Sequence, residues 1–183
     1  LHYDPSGEAI GHVYLQTFIG PCRVVHAIGV GPLITLQHLT HRLHNLPERI
    51  LVRTYETFPT QHFDAQLTAF APEALIALAN LGVKLIGIDS ASIDPANSKT
   101  LDSHQVIRRR QMRVLENLLL DEVPEGDYEL VALPVRLETA DAAPVRAALR
   151  GPLAPRAPAI QSPTRDDATA LDAADPLAEH RDA

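Results

Sequence analysis

One cysteine in 183 residues, Cys22, is too few for an internal disulfide or for a thiolate-rich zinc cluster. The simplest setting for such a chain is a reducing cytoplasm. Cys22 opens the apolar run CRVVHAIGV, which suits a small buried side chain better than a nucleophile. Positive charge is also short: the net charge is −7 and the pI near 5.7. That balance excludes the broad basic surface of a nucleic-acid or anionic-membrane binder. The local exception, Arg108, Arg109 and Arg110, reads as a solvated helix face or as salt-bridge partners and not as a phosphate site. Long hydrophobic runs are missing too. Nothing approaches the roughly 20 apolar residues of a membrane helix, and no basic-then-apolar leader stands at the start. A soluble protein is expected.

What is present is enough apolar content, 45%, for one ordinary domain. Composition changes sharply near Gly151. From there to Ala183 the chain has five prolines, many alanines, no aromatic residue and no sustained amphipathic pattern. Such a segment buries too little apolar surface to offset its ordering entropy. Residues 151–183 are therefore expected to form a disordered tail, with a fraying turn near Ala168 to Ala174.

Residues 1–150 alternate strand-like and helix-like segments. CRVVHAIGV and RILVRTY read as strands, with HLTHRLHNL between them as a short helix ending before Pro47. APEALIALANLG reads as the clearest helix, with Pro72 and Glu73 in its first turn and Gly82 as its stop. VKLIGID follows as a strand buried on both faces. A polar loop, a helix through HQVIRRRQMR, a strand VLENLLLDEV, a turn at PEGD and a strand YELVALPVRLE complete the series. The order predicts a mixed α/β domain of about five strands and three helices, with helices packed on a buried sheet in three layers.

Glu116 is the most informative residue of this body. Period-2 geometry in VLENLLL places it on one strand face with Val114 and Leu118. A carboxylate there needs a cation, a set of donors or a metal, and an arginine partner is the plainest of these. His104 could share a metal with it only if the chain reverses between them. Twelve residues of straight helix would hold the two about 18 Å apart.

The segments LHYD, GPCRVVH, RILVRTY, LGVKLIGIDSASIDPANSKTLDSH and GDYELVALPVRLETADAAPVRAALR resemble, in that order, the bacterial kynurenine formamidases. These are metal-dependent arylformamidases of the cyclase-like hydrolase family. The resemblance spans nearly all of Leu1 to Arg150 and excludes the tail. It implies a swivelling β/β/α-type fold with a mixed sheet, usually in a homodimer. It also implies hydrolysis of N-formyl-L-kynurenine to L-kynurenine and formate in tryptophan degradation, with two zinc ions per subunit in the complete enzyme.

The family's His-x-Gly-(Thr/Ala)-His-x-Asp-x-Pro motif, whose histidines and aspartate bind zinc, is not in this sequence; its continuation Leu-His-Tyr is. By that match His2 falls on the proton donor or acceptor, and His104 and Glu116 fall on metal ligands. Without the motif the 183 residues on their own are expected to be inactive or nearly so, because zinc sites take three or four protein ligands. A smaller departure is Ala143, where the family often has serine. Two other readings stand beside this one: a related amide hydrolase of the isatin-hydrolase kind, and a non-catalytic remnant of the fold.

Overall fold

The computed structural model describes residues 7–153. His2 and nearly all of the expected tail lie outside them. A six-stranded sheet forms the centre, its strands in the spatial order Arg113–Leu115, Leu85–Ile88, Arg49–Arg53, Ile19–His26, Gly126–Val131 and Ala148–Arg150. Its parallel strands are β1 (Ile19–His26), β3 (Arg49–Arg53), β5 (Leu85–Ile88) and β6 (Arg113–Leu115). Antiparallel β7 (Gly126–Val131) pairs with β1, and β8 (Ala148–Arg150) pairs with β7. A separate parallel pair joins β2 (Leu33–Ile34) to β4 (Ala69–Phe70).

Strand alternation divides the core in two. Val25, Ile50, Val52, Ile86 and Ile88 face one side and Val24, Leu51 and Leu85 the other, all of them buried. The first side is covered by α1 (Leu36–Leu39), α2 (Pro72–Asn80) and α3 (Asp102–Arg109), which contribute Leu39, Ala74, Leu75, Leu78, Val106 and Ile107. The second side, to which Tyr128 and Leu130 of β7 also contribute, is covered among the described residues by a 3-10 turn at Leu15–Phe18 and by irregular chain around Leu118 and Leu120. The expected third layer of helices is absent among the described residues. The expectation of a mixed sheet with packed helices holds.

α2 starts with Pro72 at its first turn and ends in a Schellman turn. Gly82, at φ +92°, sits just past the end, its N–H bonding to Ala79 O and that of Val83 to Leu78 O. β5 follows at once and is buried along its whole length, as expected for a strand covered on both faces. The helix after Ile34 is shorter than expected. α1 gives way to a 3-10 turn at Thr40–Arg42, well before Pro47.

Two strands are also shorter than the pattern suggested. β7 stops at Val131, since Pro134 lacks a donor for continued pairing, and the chain beyond it bonds instead to Gly11 and Ile10. β6 stops at Leu115, one residue before Glu116. Arg49, 7% exposed, ties β3 to the 3-10 turn before β1, donating to the carbonyls of Thr17 (2.8 Å), Pro21 (3.4 Å) and Gln16.

Candidate functional site

Beyond the carboxyl ends of β3, β5 and β6 the chain leaves the sheet in polar loops, the usual place for a site in a parallel α/β sheet. β5 delivers Asp89, fully buried. Its carboxylate accepts the backbone N–H of Thr54 at 2.8 and 2.9 Å, the Thr54 hydroxyl at 2.6 Å and the Tyr55 N–H at 3.0 Å. Burial raises its pKa, and these donors act against that rise. Asp89 thereby fastens the end of β3 to the start of the site loop.

Two serines of that loop and one of α3 hold its shape. Ser90 Oγ donates to Ser92 O at 2.9 Å, Ser92 Oγ accepts the Asp94 N–H at 3.1 Å, and Ser103 Oγ donates to Phe70 O at 2.8 Å. The result is a buried Asp94, 2% exposed, aimed at the start of α3. The residue before that helix, Leu101, has φ +51° and no capping side chain. Asp94 supplies the cap from seven residues upstream. Its Oδ1 accepts the Ser103 N–H at 2.8 Å, and its Oδ2 accepts the His104 N–H at 3.0 Å. The same Oδ2 lies 2.6 Å from His104 Nδ1.

α3 then closes on a second Schellman turn, with Gln111 at φ +52° bonding to Arg108 O and Met112 to Ile107 O. The chain reverses there and β6 runs beside β5. This is the reversal that His104 and Glu116 require in order to meet. Arg108, Arg109 and Arg110 at the helix end are exposed, in keeping with a solvated face.

Glu116 differs from expectation in its setting. It is not a strand residue sharing a face with Val114 and Leu118. Asn117, at φ +57°, breaks the alternation: Val114 packs toward the helices, whereas Leu115 and Leu118 enter the opposite core. Backbone bonds from Asn117 N to Ser90 O (2.9 Å) and from Leu118 N to Ile88 O (3.1 Å) latch this segment to the end of β5. Glu116 is thereby turned to the site loop. Its Oε1 accepts the Ile93 N–H at 2.9 Å and lies 3.5 Å from His104 Nε2.

The donor set suits a metal. A carboxylate accepts, so with a neutral imidazole the 2.6 Å contact puts the His104 proton on Nδ1 and turns the Nε2 lone pair toward Glu116. A lone pair and a carboxylate facing each other favour a cation between them. Nitrogen and oxygen ligands at about 2.0–2.2 Å from one tetrahedral zinc stand about 3.3–3.5 Å apart, and the observed spacing is 3.5 Å. The pair is an incomplete set by itself: among the described residues no group of three or more His, Cys, Asp or Glu gathers for a metal. His2 lies outside the described residues.

A small pocket of about 60 Å³ on the same side of the loops is lined by Tyr55, Phe58, His62, Asp64, Asp89 and Asn117, among others, and by neither His104 nor Glu116. Tyr55 and Phe58 meet edge to face with centroids 6.2 Å apart, and the Tyr55 hydroxyl donates to Asp64 at 3.0 Å. That volume holds a few waters and falls well short of the roughly 300 Å³ or more of a drug-sized ligand site. A wider groove of about 410 Å³ borders Arg23, Arg42, Glu125 and Asp127. Its charges are matched, Arg23 to Asp127 at 2.6 Å and Arg42 to Glu125 at 2.9 Å.

Pattern reading of the sequence missed Asp94 and Asp89. The signal for Asp94 was a helix start with leucine in the capping position, preceded by a polar loop rich in carboxylates.

Among proteins of known function, a kynurenine formamidase from Paracidovorax citrulli (strain AAC00-1) is 65% identical over 156 residues, which cover 83% of this chain and 72% of that protein. A solved structure described as a potential metal-dependent hydrolase with cyclase activity superposes with a TM-score of 0.73 at 28% identity, covering 81% of this chain and 73% of its own. Isatin hydrolase A from Labrenzia aggregata superposes with a TM-score of 0.65 at 17% identity, covering 79% and 65% respectively, a likeness of fold alone. No family model matches the chain.

Proposed function

This chain belongs to the kynurenine formamidase family, and we propose from that premise that its body serves the hydrolysis of N-formyl-L-kynurenine to L-kynurenine and formate at a two-zinc site. The reaction breaks the formyl C–N bond. A water oxygen adds to the formyl carbon, and the aniline nitrogen leaves with a proton. Zinc, when bound, supplies hydroxide near neutral pH and polarises the carbonyl.

The remaining work falls to this chain's own groups. His104 and Glu116 would hold the metal. Asp89, Ser90 and Ser92 keep the site loop in place. His2, the residue type that titrates nearest neutrality, passes the proton to the departing nitrogen. A homodimer and a cytoplasmic setting belong to the same reading, which needs neither nucleic acid nor membrane. Among the described residues no helix is long and apolar enough to cross a bilayer.

The observation that carries the proposal is the 3.5 Å approach of His104 Nε2 to Glu116 Oε1 at the mouth of the parallel strands. The test compares the 183-residue chain with the same chain carrying a His-x-Gly-(Thr/Ala)-His-x-Asp-x-Pro segment before Leu1. Both are stripped of metal, given zinc and assayed for loss of N-formyl-L-kynurenine. Zinc-dependent turnover by the extended protein, with little or none by the shorter one, is expected. Zinc uptake without turnover would favour an isatin-hydrolase-like amide substrate. Neither uptake nor turnover by the extended protein would favour a non-catalytic remnant.

A further inference from the structure

We propose that Asp94 is the positioning residue of the site: one buried carboxylate caps α3 and, through the same oxygen, fixes the tautomer and direction of the His104 ring. Three observations lead there. The 2.6 Å contact from Oδ2 to Nδ1 is short even for a charge-assisted bond. Leu101 contributes no capping side chain and stands in the left-handed region, so the first turn of α3 draws its acceptor from Asp94. Third, Glu116 faces the ring from the opposite side, at Nε2. The imidazole is thus held between one carboxylate that accepts its Nδ1–H and a second that faces Nε2.

A serine or threonine cap before the helix would satisfy the backbone donors equally well. It would leave the ring able to turn over and present the protonated nitrogen to Glu116. A remote aspartate does both jobs with one group, and the loop from Ser90 to Asp94 is built to present it. Carboxylates behind ligating histidines set ring orientation and raise ligand basicity, and their loss typically weakens metal binding by about 10–100-fold.

The tautomer part of this assignment stands independently of the zinc reading; the affinity part rests on it. The test uses 15N-labelled protein, the 183-residue chain for the tautomer and the motif-extended chain for zinc. Two-bond 1H–15N correlations of the His104 ring are recorded at a pH where the imidazole is neutral, and again as zinc is added. The wild-type ring is expected in the Nδ1–H form, with Nε2 shifting on zinc addition. Asp94→Asn is expected to move the ring toward the Nε2–H form and to raise the zinc needed by about 10–100-fold. Ser103→Ala, which loosens the same helix turn by removing the bond to Phe70 O, is expected to leave the tautomer unchanged.

A wild-type ring in the Nε2–H form would overturn the assignment without recourse to any variant. So would Ser103→Ala shifting the tautomer as far as Asp94→Asn, because helix packing and not the carboxylate would then orient the ring. A correct wild-type tautomer, lost in Asp94→Asn, together with an Nε2 indifferent to zinc, would uphold Asp94 as the orienting group and sink the metal reading.

Discussion

Gly87 in the middle of β5 offers a sharp test of how the sheet holds the site. Its neighbours Ile86 and Ile88 face the helices, so Gly87 faces the opposite core. A Cβ added there would stand 2.7 Å from Leu118 Cδ1 and closer still to Leu51 Cδ2. Carbon atoms rest about 3.5–4.0 Å apart, so each leucine would have to retreat by about 1 Å. Both are buried, Leu51 at 1% and Leu118 at 7% exposure.

Overpacking of this kind costs about 1–3 kcal/mol, and alanine recovers about 0.5–1 kcal/mol of backbone entropy relative to glycine. Gly87→Ala is therefore expected to destabilise by about 1–2 kcal/mol, a fall in Tm of about 3–6 °C for a chain of this size. Urea denaturation with an unchanged m-value would measure it. In a double-mutant cycle Leu118→Ala should relieve part of the penalty, the closer contact with Leu51 remaining. Leu118 is two residues from Glu116 and bonded to Ile88, so the single variant should also bind zinc more weakly in the motif-extended protein. A Gly87→Ala protein as stable as wild type would show that the two leucines repack without strain and would refute the argument.

Other outcomes follow from the same geometry. Glu116→Gln keeps the side-chain shape and its bond to Ile93 N–H, so stability should change by less than about 1 kcal/mol, while zinc content after dialysis of the motif-extended protein should fall at least about tenfold. Undiminished zinc retention would remove Glu116 from the ligand set. Partial burial alone would raise the pKa of Glu125, but the His26 N–H, His41 and Arg42 outweigh it and hold the carboxyl down to about 2. A depressed acid stabilises the fold above its unfolded pKa and loses that contribution as pH falls through the folded one. Glu125→Gln should accordingly lower Tm at neutral pH, with the difference from wild type closing between about pH 4.5 and about pH 2; a constant difference across that window would contradict the network. Burial pushes the Cys22 thiol up to about 12, with Arg49 acting against it and Asp127 with it. Its reaction with an aromatic disulfide should wait for unfolding, and rapid labelling under native conditions would show that β1 opens locally.

The elements that formed as expected are those whose evidence is local. Continuous apolar residues over Leu85–Ile88 require a strand buried on both faces, and Pro72 with Gly82 brackets a helix whichever partners it meets. Cys22 sits in a run too apolar to be reactive. The resemblance to a hydrolase family was legible because long ordered strings such as GIDSASIDP and SKTLDSH carry it, and it implies His104 and Glu116 as ligands.

What only the tertiary structure decided is how remote groups share one point in space. Left-handed turns at Gln111 and Asn117, residues with no glycine to announce them, set the reversal after α3 and swing Glu116 off the strand onto the loop. β7 and β6 ended early because Pro134 and Asn117 interrupt pairing, which hydrophobic alternation alone does not register. Helices gathered on one face because the irregular chain around Leu118 and Leu120, apolar enough to pass for strand, fills the other. Asp94 and Asp89 look alike in a string of polar residues; folding makes one the cap and ring partner of α3 and the other the fastener of β3. Their roles depend on which backbone N–H groups lie within about 3 Å, and no periodicity in the chain encodes that.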